Sequence, residues 1–146
     1  MEAHEKGLLH RAFSVFIFNS KNQMLLQQRA LNKYHSAGLW TNTCCSHPRP
    51  KENTLEAAKR RLKEEMGIET DLTFKTKFTY KTKFGNGLIE NEVDHIFIGY
   101  YNSDPKINTE EANSFCWKTL VDVKAAIKAE PDNYTSWFKL ALEGVF

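Results

Sequence analysis

The segment from residue 53 to residue 66 has the clearest helical pattern in the chain, and it constrains the fold because strand-like segments lie on both sides of it. Its apolar positions recur every fourth residue and predict one buried stripe: Ala58, Leu62 and Met66. Asn53 suits the N-cap, and Glu56, three residues later, completes a capping-box pattern. Gly67 suits the C-cap, where a left-handed backbone is common. The segment therefore predicts an amphipathic helix with one buried face.

β-rich and turn-bounded segments predict the elements around this helix. In chain order these are a hairpin of 10–18 and 23–28, a long structured loop over 29–51, strands over 72–83, 88–101 and 113–118, and helices over 119–129 and 133–144. Strands and helices do not alternate strictly, which predicts a mixed sheet. The length of 146 residues suits one domain with a sizeable core. We therefore expect residues 1–146 to form one α/β domain of the α+β type, a mixed β-sheet sandwiched between α-helices.

Composition and charge argue against several classes of partner. The net charge of +2 is too close to neutral to indicate a nucleic-acid partner. No apolar run reaches membrane-spanning length, and no signal peptide opens the chain. Cys44, Cys45 and Cys116 are an odd number with two adjacent, a poor disulfide framework that favours a reducing, cytoplasmic setting. The expected partner is a small molecule, with no nucleic acid and no membrane.

Two separated clusters predict a metal site. Residues 41–48 (TNTCCSHP) place a histidine beside two cysteines, and residues 90–92 (ENE) fall on a predicted strand. Glu90 and Glu92 are two apart and share a strand face, where two carboxylates repel unless a cation or a proton neutralises them. The nitrogen and oxygen donors, which suit Mg, Mn or Zn, are His4, His10, His47, Glu90 and Glu92. The alternative is a solvated polar surface, the commoner place for each residue taken alone.

Three basic residues are candidates for binding an anion. Arg29 and Lys33 follow a predicted strand and enter the loop that contains the cysteines. Together with Arg61 they could clamp a diphosphate, arginine through its planar fork and lysine as a point charge. The alternative is ordinary solubilising charge, and for Arg61 an ion pair with Glu65 one turn later on the helix surface.

The end of the predicted helix, residues 60–68 (RRLKEEMGI), resembles the end of a Nudix box. Glu52 stands where the box has its first glutamate, and Ser46 replaces the opening glycine. Arg61 replaces a glutamate that, in Nudix hydrolases, helps to hold the metals that activate water, which argues against pyrophosphate hydrolysis. With the box, four motifs make the chain similar to the type I isopentenyl-diphosphate isomerases, a family of the Nudix superfamily: residues 9–14 (LHRAFS), 28–31 (QRAL), 39–48 (LWTNTCCSHP) and 90–93 (ENEV).

This resemblance implies a Nudix-like fold and an enzyme that interconverts isopentenyl and dimethylallyl diphosphate by moving a proton across an allylic system. It implies that Cys45 is the catalytic thiol and that Glu92 is a catalytic carboxylate and metal ligand, hydrogen-bonded to Tyr80. Which of Cys45 and Glu92 gives the first proton stays open. The resemblance implies these further roles: His4, His10, His47 and Glu90 in the metal shell, Glu65 at a Mg²⁺ on the diphosphate, Arg29, Lys33 and Arg61 at the diphosphate, and Trp137 at the hydrocarbon.

Two alternatives stay open beside this resemblance. One is a Nudix hydrolase of a diphosphate substrate, and the other is a catalytically silent Nudix-like binding domain. Family members usually carry further residues before the position of His4, including a lysine that contacts the diphosphate, so we expect the chain to lack the family's N-terminal segment. A monomer and a homodimer are both compatible with the sequence.

Overall fold

A computed structural model of the chain describes residues 9–33, 36–83 and 89–146. The strands in this part are β1 (Leu9–Phe18), β2 (Gln23–Arg29), β3 (Trp40–Thr41), β4 (Cys44–Ser46), β5 (Leu72–Lys83), β6 (Ile89–Tyr100) and β7 (Ala112–Thr119). The helices are α1 (Thr54–Met66), α2 (Leu120–Ala129) and α3 (Ser136–Val145), with a 3₁₀ turn over Pro131–Asn133. Among the described residues, no helix has both the length and the apolar character needed to cross a membrane.

The strands form one mixed sheet, as the sequence predicts. Its order is β3-β2-β1-β6-β5, and in addition β4 pairs with β1 and β7 pairs with β2. β1 runs parallel to β6, in a register that sets His10 beside Glu92. β5 and β6, the two long strands expected from the sequence, pair antiparallel. The parallel pairing brings residues more than eighty positions apart into one part of the sheet.

Alternating side chains along β1 divide the core into two layers. Phe13 and Val15 point to the face that α1 covers, and Phe16 points to the opposite face, where it packs with Val123 of α2 and Phe138 of α3. The predicted apolar stripe of α1 is fully buried in the first layer. Helices therefore cover both faces of the sheet, and the predicted sandwich is confirmed.

Helix α1 begins and ends close to the predicted residues. The Asn53 side chain accepts hydrogen bonds from the backbone N–H groups of Leu55 and Glu56, which satisfies two donors of the first turn. Gly67 ends the helix with a φ of 64°, and a Cβ at this position would lie 2.8 Å from the Lys106 carbonyl oxygen. Both the left-handed backbone and the close approach require glycine here.

The predicted hairpin of β1 and β2 is correct only at its turn. The register between these strands joins Phe18 with Met24, and beyond that point they diverge. β1 takes β4 and β6 as its partners, while β2 takes β3 and β7. The prediction was wrong beyond the turn because these distant strands form hydrogen bonds with backbone N–H and C=O groups that β1 and β2 would have shared in a hairpin.

Buried polar side chains cross the gap between the diverging strands. The Asn42 side-chain amide donates to the Val15 carbonyl at 3.0 Å. The Thr43 hydroxyl accepts from the N–H of Ile17 at 2.9 Å and donates to the Leu25 carbonyl at 2.7 Å. Because a buried backbone group without a partner is costly, these bonds explain why polar side chains precede the two cysteines.

Two further predictions need correction, and they are linked. The predicted loop over 29–51 contains the short strands β3 and β4, and the predicted helix over 133–144 begins only at Ser136. Trp40 of β3 bridges to Tyr134, and the N–H of Thr135 donates to the Trp40 carbonyl at 3.0 Å. Since this pairing requires an extended backbone at Thr135, the helix starts after it. The pairing also draws the start of α3 towards the strand that leads to the cysteines.

Candidate active site

The gap between β1 and β2 opens into a pocket of about 200 Å³. Eight residues that the sequence suggests for the site line it: Arg29, Lys33, Cys45, His47, Arg61, Glu65, Glu92 and Trp137. They come from β2, β4, β6, α1, α3 and the loops after β2 and β4. The fold therefore collects in one small pocket residues that lie far apart in the sequence.

The adjacent cysteines lie in different layers of the core. Cys44 is fully buried on the α1 side, whereas Cys45 packs in the layer of α2 and α3 and lines the pocket. Burial raises the pKa of the Cys45 thiol to about 12, against the opposing charge of Arg29. Cys45 is therefore protonated at neutral pH, and of the two cysteines it is the one that can meet a ligand in the pocket.

Trp137 links this thiol to a cation. Its indole Nε1 donates to Cys45 Sγ at 3.1 Å. The guanidinium carbon of Arg29 lies 5.3 Å from the indole ring centroid, within the range of a cation–π contact. The register of β2 shifts between Gln28 and Arg29, next to this contact. The indole face in the pocket can thus interact with a positive charge.

Two imidazoles converge on one buried carboxylate. Glu92 Oε1 lies 2.5 Å from His47 Nε2 and 3.2 Å from His10 Nε2, and Glu92 is only 2 % exposed. The three potential ligand atoms all lie within 4.8 Å of one another. Neutral imidazole nitrogens and a carboxylate oxygen are ligands of Zn²⁺ and of related divalent ions. The arrangement therefore fits a divalent cation.

The other predicted members of this cluster lie outside the described part of the structure. His4 precedes the described residues, and the side chains of Tyr80 and Glu90 are not among those described. The backbone of β5 nevertheless pairs Tyr80 directly with Glu92 of β6. The roles of these three residues stay predictions.

Arg61 is surrounded by carboxylates. Its Nε and Nη2 donate to Glu65 Oε2 at 3.1 and 2.8 Å, Nη1 donates to Glu64 at 2.8 Å, and Nη2 also donates to Glu111 at 3.0 Å. Although burial opposes its charge, these carboxylates raise the pKa of the guanidinium further above its usual range. The predicted pair with Glu65 forms, but it is not a plain surface pair because the Glu65 side chain is only 6 % exposed.

Two glutamates of the Nudix-like box have different surroundings. Burial raises the pKa of Glu65, against the charge of Arg61 and a hydrogen bond from Gln27 Nε2 at 3.1 Å. Glu52 lies outside the pocket lining and accepts two hydrogen bonds from Arg60, which lower its pKa to about 2. Of the two, Glu65 is the one placed to meet a ligand.

Asp94, a buried carboxyl group in the pocket, belongs to none of the motifs that the sequence predicts for the site. Asp94 is 2 % exposed, and both its oxygens accept from the Ser14 hydroxyl, at 2.8 and 3.0 Å. Burial raises its pKa to about 7, the Ser14 hydrogen bond opposes this, and the Glu92 charge adds to the rise. The alternation of Glu90 and Glu92 continues to Asp94 and could have identified it.

Comparisons with known proteins give the family of this chain. Residues 8–138 match the NUDIX domain. The isopentenyl-diphosphate Delta-isomerase 2 of Aromatoleum aromaticum is 48% identical over 145 residues, covering 99% of this chain and 77% of that protein. The isopentenyl-diphosphate Delta-isomerase of Pectobacterium atrosepticum is 50% identical over 139 residues, covering 95% of this chain and 78% of that protein. The crystal structure of the MutT protein from Methanosarcina mazei Go1 matches with a TM-score of 0.76 at 21% identity, covering 92% of this chain and 91% of that chain. At this identity the match supports the fold alone. The chain therefore belongs to the Nudix family and, within it, to the isopentenyl-diphosphate Delta-isomerases.

Proposed function

We propose that this chain, acting as a single domain over residues 1–146, interconverts isopentenyl and dimethylallyl diphosphate through a tertiary carbocation. One observation carries the proposal: a thiol, a carboxylate and an indole line the same small pocket as three cations. These groups are Cys45, Glu92 and Trp137, with Arg29, Lys33 and Arg61. The two sets match the two ends of the substrate, since the cations suit its strongly anionic diphosphate end and the other three groups suit its uncharged hydrocarbon end. The names of the relatives give independent support.

Cys45 and Glu92 are the proposed proton-transfer groups. The alkene gains a proton at one carbon and loses one at another, so the reaction needs an acid and a base in the same pocket. Cys45 holds a proton at neutral pH, and Glu92 offers a carboxylate fixed by two imidazoles. Because the reaction is reversible, the group that donates in one direction accepts in the other. In the direction in which Glu92 donates, Tyr80, paired with it across the two strands, is the proposed source of its proton.

Trp137 is the proposed neighbour of the positive charge that develops on the hydrocarbon. The residue is 7 % exposed, so the pocket side of its ring is largely desolvated. A desolvated indole face can stabilise a cation by about 2 kcal/mol. Its hydrogen bond to Cys45 Sγ also sets the indole against the thiol, so the two groups are placed together.

A divalent ion is the proposed cofactor of the histidine–glutamate cluster. His10, His47 and Glu92 would hold Mn²⁺, Zn²⁺ or Mg²⁺, with His4 and Glu90 completing the shell. Bound there, the ion would neutralise the buried carboxylate and fix its orientation. A second ion, Mg²⁺ on the diphosphate, is proposed beside Glu65.

The adjacent cysteines provide the matched pair of variants that tests this function. Isopentenyl diphosphate is incubated with the protein and added Mg²⁺ in heavy water, and deuterium incorporation into the product is followed. Cys45→Ala should lower turnover by about a hundredfold or more, the usual contribution of a proton-transfer group. Cys44→Ala should keep most of the activity because its side chain lies on the other side of the sheet.

Two results would contradict the proposal. Equal losses in the two folded variants would remove the assignment of Cys45. Release of phosphate from the substrate, without deuterium incorporation, would instead favour a hydrolase.

A further inference from the structure

Two of the proposed diphosphate-binding cations meet on one carboxylate. Glu111 Oε2 lies 2.5 Å from Lys33 Nζ and 3.0 Å from Arg61 Nη2. Because both nitrogens contact the same oxygen, they lie no more than 5.5 Å from each other. Neither the sequence motifs nor the family resemblance drew attention to Glu111, which lies in the loop before β7.

The carboxylate offsets a repulsion that would otherwise separate the two cations. The side chains of Lys33, Arg61 and Glu111 are 26 %, 20 % and 24 % exposed, so water screens them only partly. Burial opposes the ionisation of Glu111, but the hydrogen bond from Lys33 and the charge of Arg61 outweigh it and lower the pKa. Glu111 is therefore anionic at neutral pH. It contacts two cations from different parts of the chain, Lys33 in the loop after β2 and Arg61 on α1.

The backbone of Glu111 also holds the turn that carries Lys33. The Glu111 carbonyl accepts from the N–H of Ala30 at 3.2 Å, and the Ala30 carbonyl accepts from the N–H of Lys33 at 3.3 Å. The Glu111 N–H donates to the Asn108 carbonyl at 2.9 Å, which anchors the loop itself. One residue thus fixes the backbone near Lys33, the ammonium group of Lys33 and the guanidinium of Arg61 on α1.

We propose that Glu111 is a positioning residue that holds Lys33 and Arg61 together as a preformed pair for the diphosphate end of the substrate. The inference rests on the proposed function, because that function supplies the diphosphate. An ammonium group has three donors, so binding to Glu111 leaves Lys33 able to reach a phosphate oxygen. Because the cations are already in place, the substrate does not have to bring them together against their repulsion.

The first test is the binding of inorganic pyrophosphate by Glu111→Gln, measured by titration calorimetry. This variant removes the charge but keeps the size of the side chain and the backbone bonds. Binding should weaken about tenfold, the loss of one charge-assisted contact, and the KM for isopentenyl diphosphate should rise similarly while kcat changes little. Glu111→Asp should recover part of the loss. The control Glu110→Gln removes an exposed neighbouring carboxylate and should match the unmodified protein.

A double-mutant cycle shows whether Glu111 acts through Lys33. In a Lys33→Met background, Glu111→Gln should weaken pyrophosphate binding much less than it does alone. Tighter binding by Glu111→Gln would overturn the proposal, since it would mean that the carboxylate competes with the anion. Unchanged binding would overturn it as well. The two hypotheses remain separable, because failure of the unmodified protein to isomerise the substrate refutes the proposed function, whereas the pyrophosphate result alone decides the role of Glu111.

Discussion

The adjacent arginines of α1 allow a sharp prediction about the stability of the site. Arg61→Met and Arg60→Met both remove a guanidinium, keep an apolar side chain and have similar helix propensity. Each arginine pairs with at least two carboxylates, but the partners differ in burial. Arg61 binds Glu65, which is 6 % exposed, whereas Arg60 binds Glu52 and Glu64, which are 16 % and 38 % exposed.

The expected loss follows from this difference in burial. Removing Arg61 leaves the buried Glu65 carboxyl supported mainly by Gln27, and breaking such a pair costs about 3 kcal/mol. The partners of Arg60 stay accessible to water, so their ion pairs contribute little. For a urea dependence of about 2 kcal/mol per M, the Arg61→Met midpoint should fall by about 1.5 M. The Arg60→Met midpoint should move less than half as far.

The pH dependence tells the two variants apart independently. Burial already raises the pKa of Glu65, and removing Arg61 raises it further. A carboxyl whose pKa is raised on folding favours the folded state when protonated, so its penalty increases as the pH rises towards that pKa. The Arg61→Met deficit should therefore grow with pH over the window above the ordinary pKa of a glutamate, about 4.3, in buffer without divalent ions. Arg60 instead lowers the pKa of Glu52 to about 2, so the Arg60→Met deficit should already be constant in that window.

Urea denaturation of both variants across this pH range is the measurement. Equal midpoint shifts, or an Arg61→Met deficit that does not depend on pH, would refute the view that Arg61 compensates a buried carboxylate. Loss of cooperative unfolding in Arg61→Met at high pH, with recovery at low pH, would support it, because protonation of Glu65 removes the uncompensated charge.

Two further predictions use matched positions elsewhere in the chain. His47→Ala should lose most of the bound divalent ion in elemental analysis. His95→Ala should keep the ion because His95 is not in the histidine–glutamate cluster. Full metal content in His47→Ala would contradict the proposed ligands. Gly67→Ala should lower stability by about 1–3 kcal/mol because of its left-handed backbone and the 2.8 Å approach of the Lys106 carbonyl oxygen. Gly144→Ala meets nothing within 4 Å and should be neutral or slightly stabilising, so equal thermal shifts for the two glycine variants would refute the steric explanation.

The features that depend on near neighbours were predictable from the sequence. The four-residue spacing of Ala58, Leu62 and Met66 predicted the buried stripe of α1, and Asn53 and Gly67 predicted the ends of the helix. Both predictions were possible because helix periodicity and capping act over a few residues. The long strands β5 and β6 were predicted almost to the residue for the same reason. The resemblance, rather than periodicity, selected Cys45 over Cys44, and the structure places Cys45 in the pocket.

The features that depend on distant partners were not predictable in this way. A turn between two β-rich segments predicts a hairpin, but β1 and β2 separate because other strands compete for their edges. The roles of Asn42 and Thr43 follow only from that separation, since both satisfy backbone groups that the missing hairpin leaves open. Glu111 carries no local signal, because its importance arises from a lysine 78 positions earlier and an arginine 50 positions earlier.

The charge at position 61 explains how a Nudix framework can serve a different reaction. A glutamate there, as in the hydrolase box, would join Glu64, Glu65 and Glu111 in one cluster, and four close carboxylates require cations to offset their repulsion. Arg61 instead places a permanent positive charge among three carboxylates, and its Nε and both Nη atoms donate to them. This cation offsets part of the negative charge with which the helix would otherwise gather metal ions for water activation. In the proposed function, the anionic end of the substrate is held near Arg61, while the proposed proton transfer takes place at Cys45, which packs in the layer on the other side of the sheet.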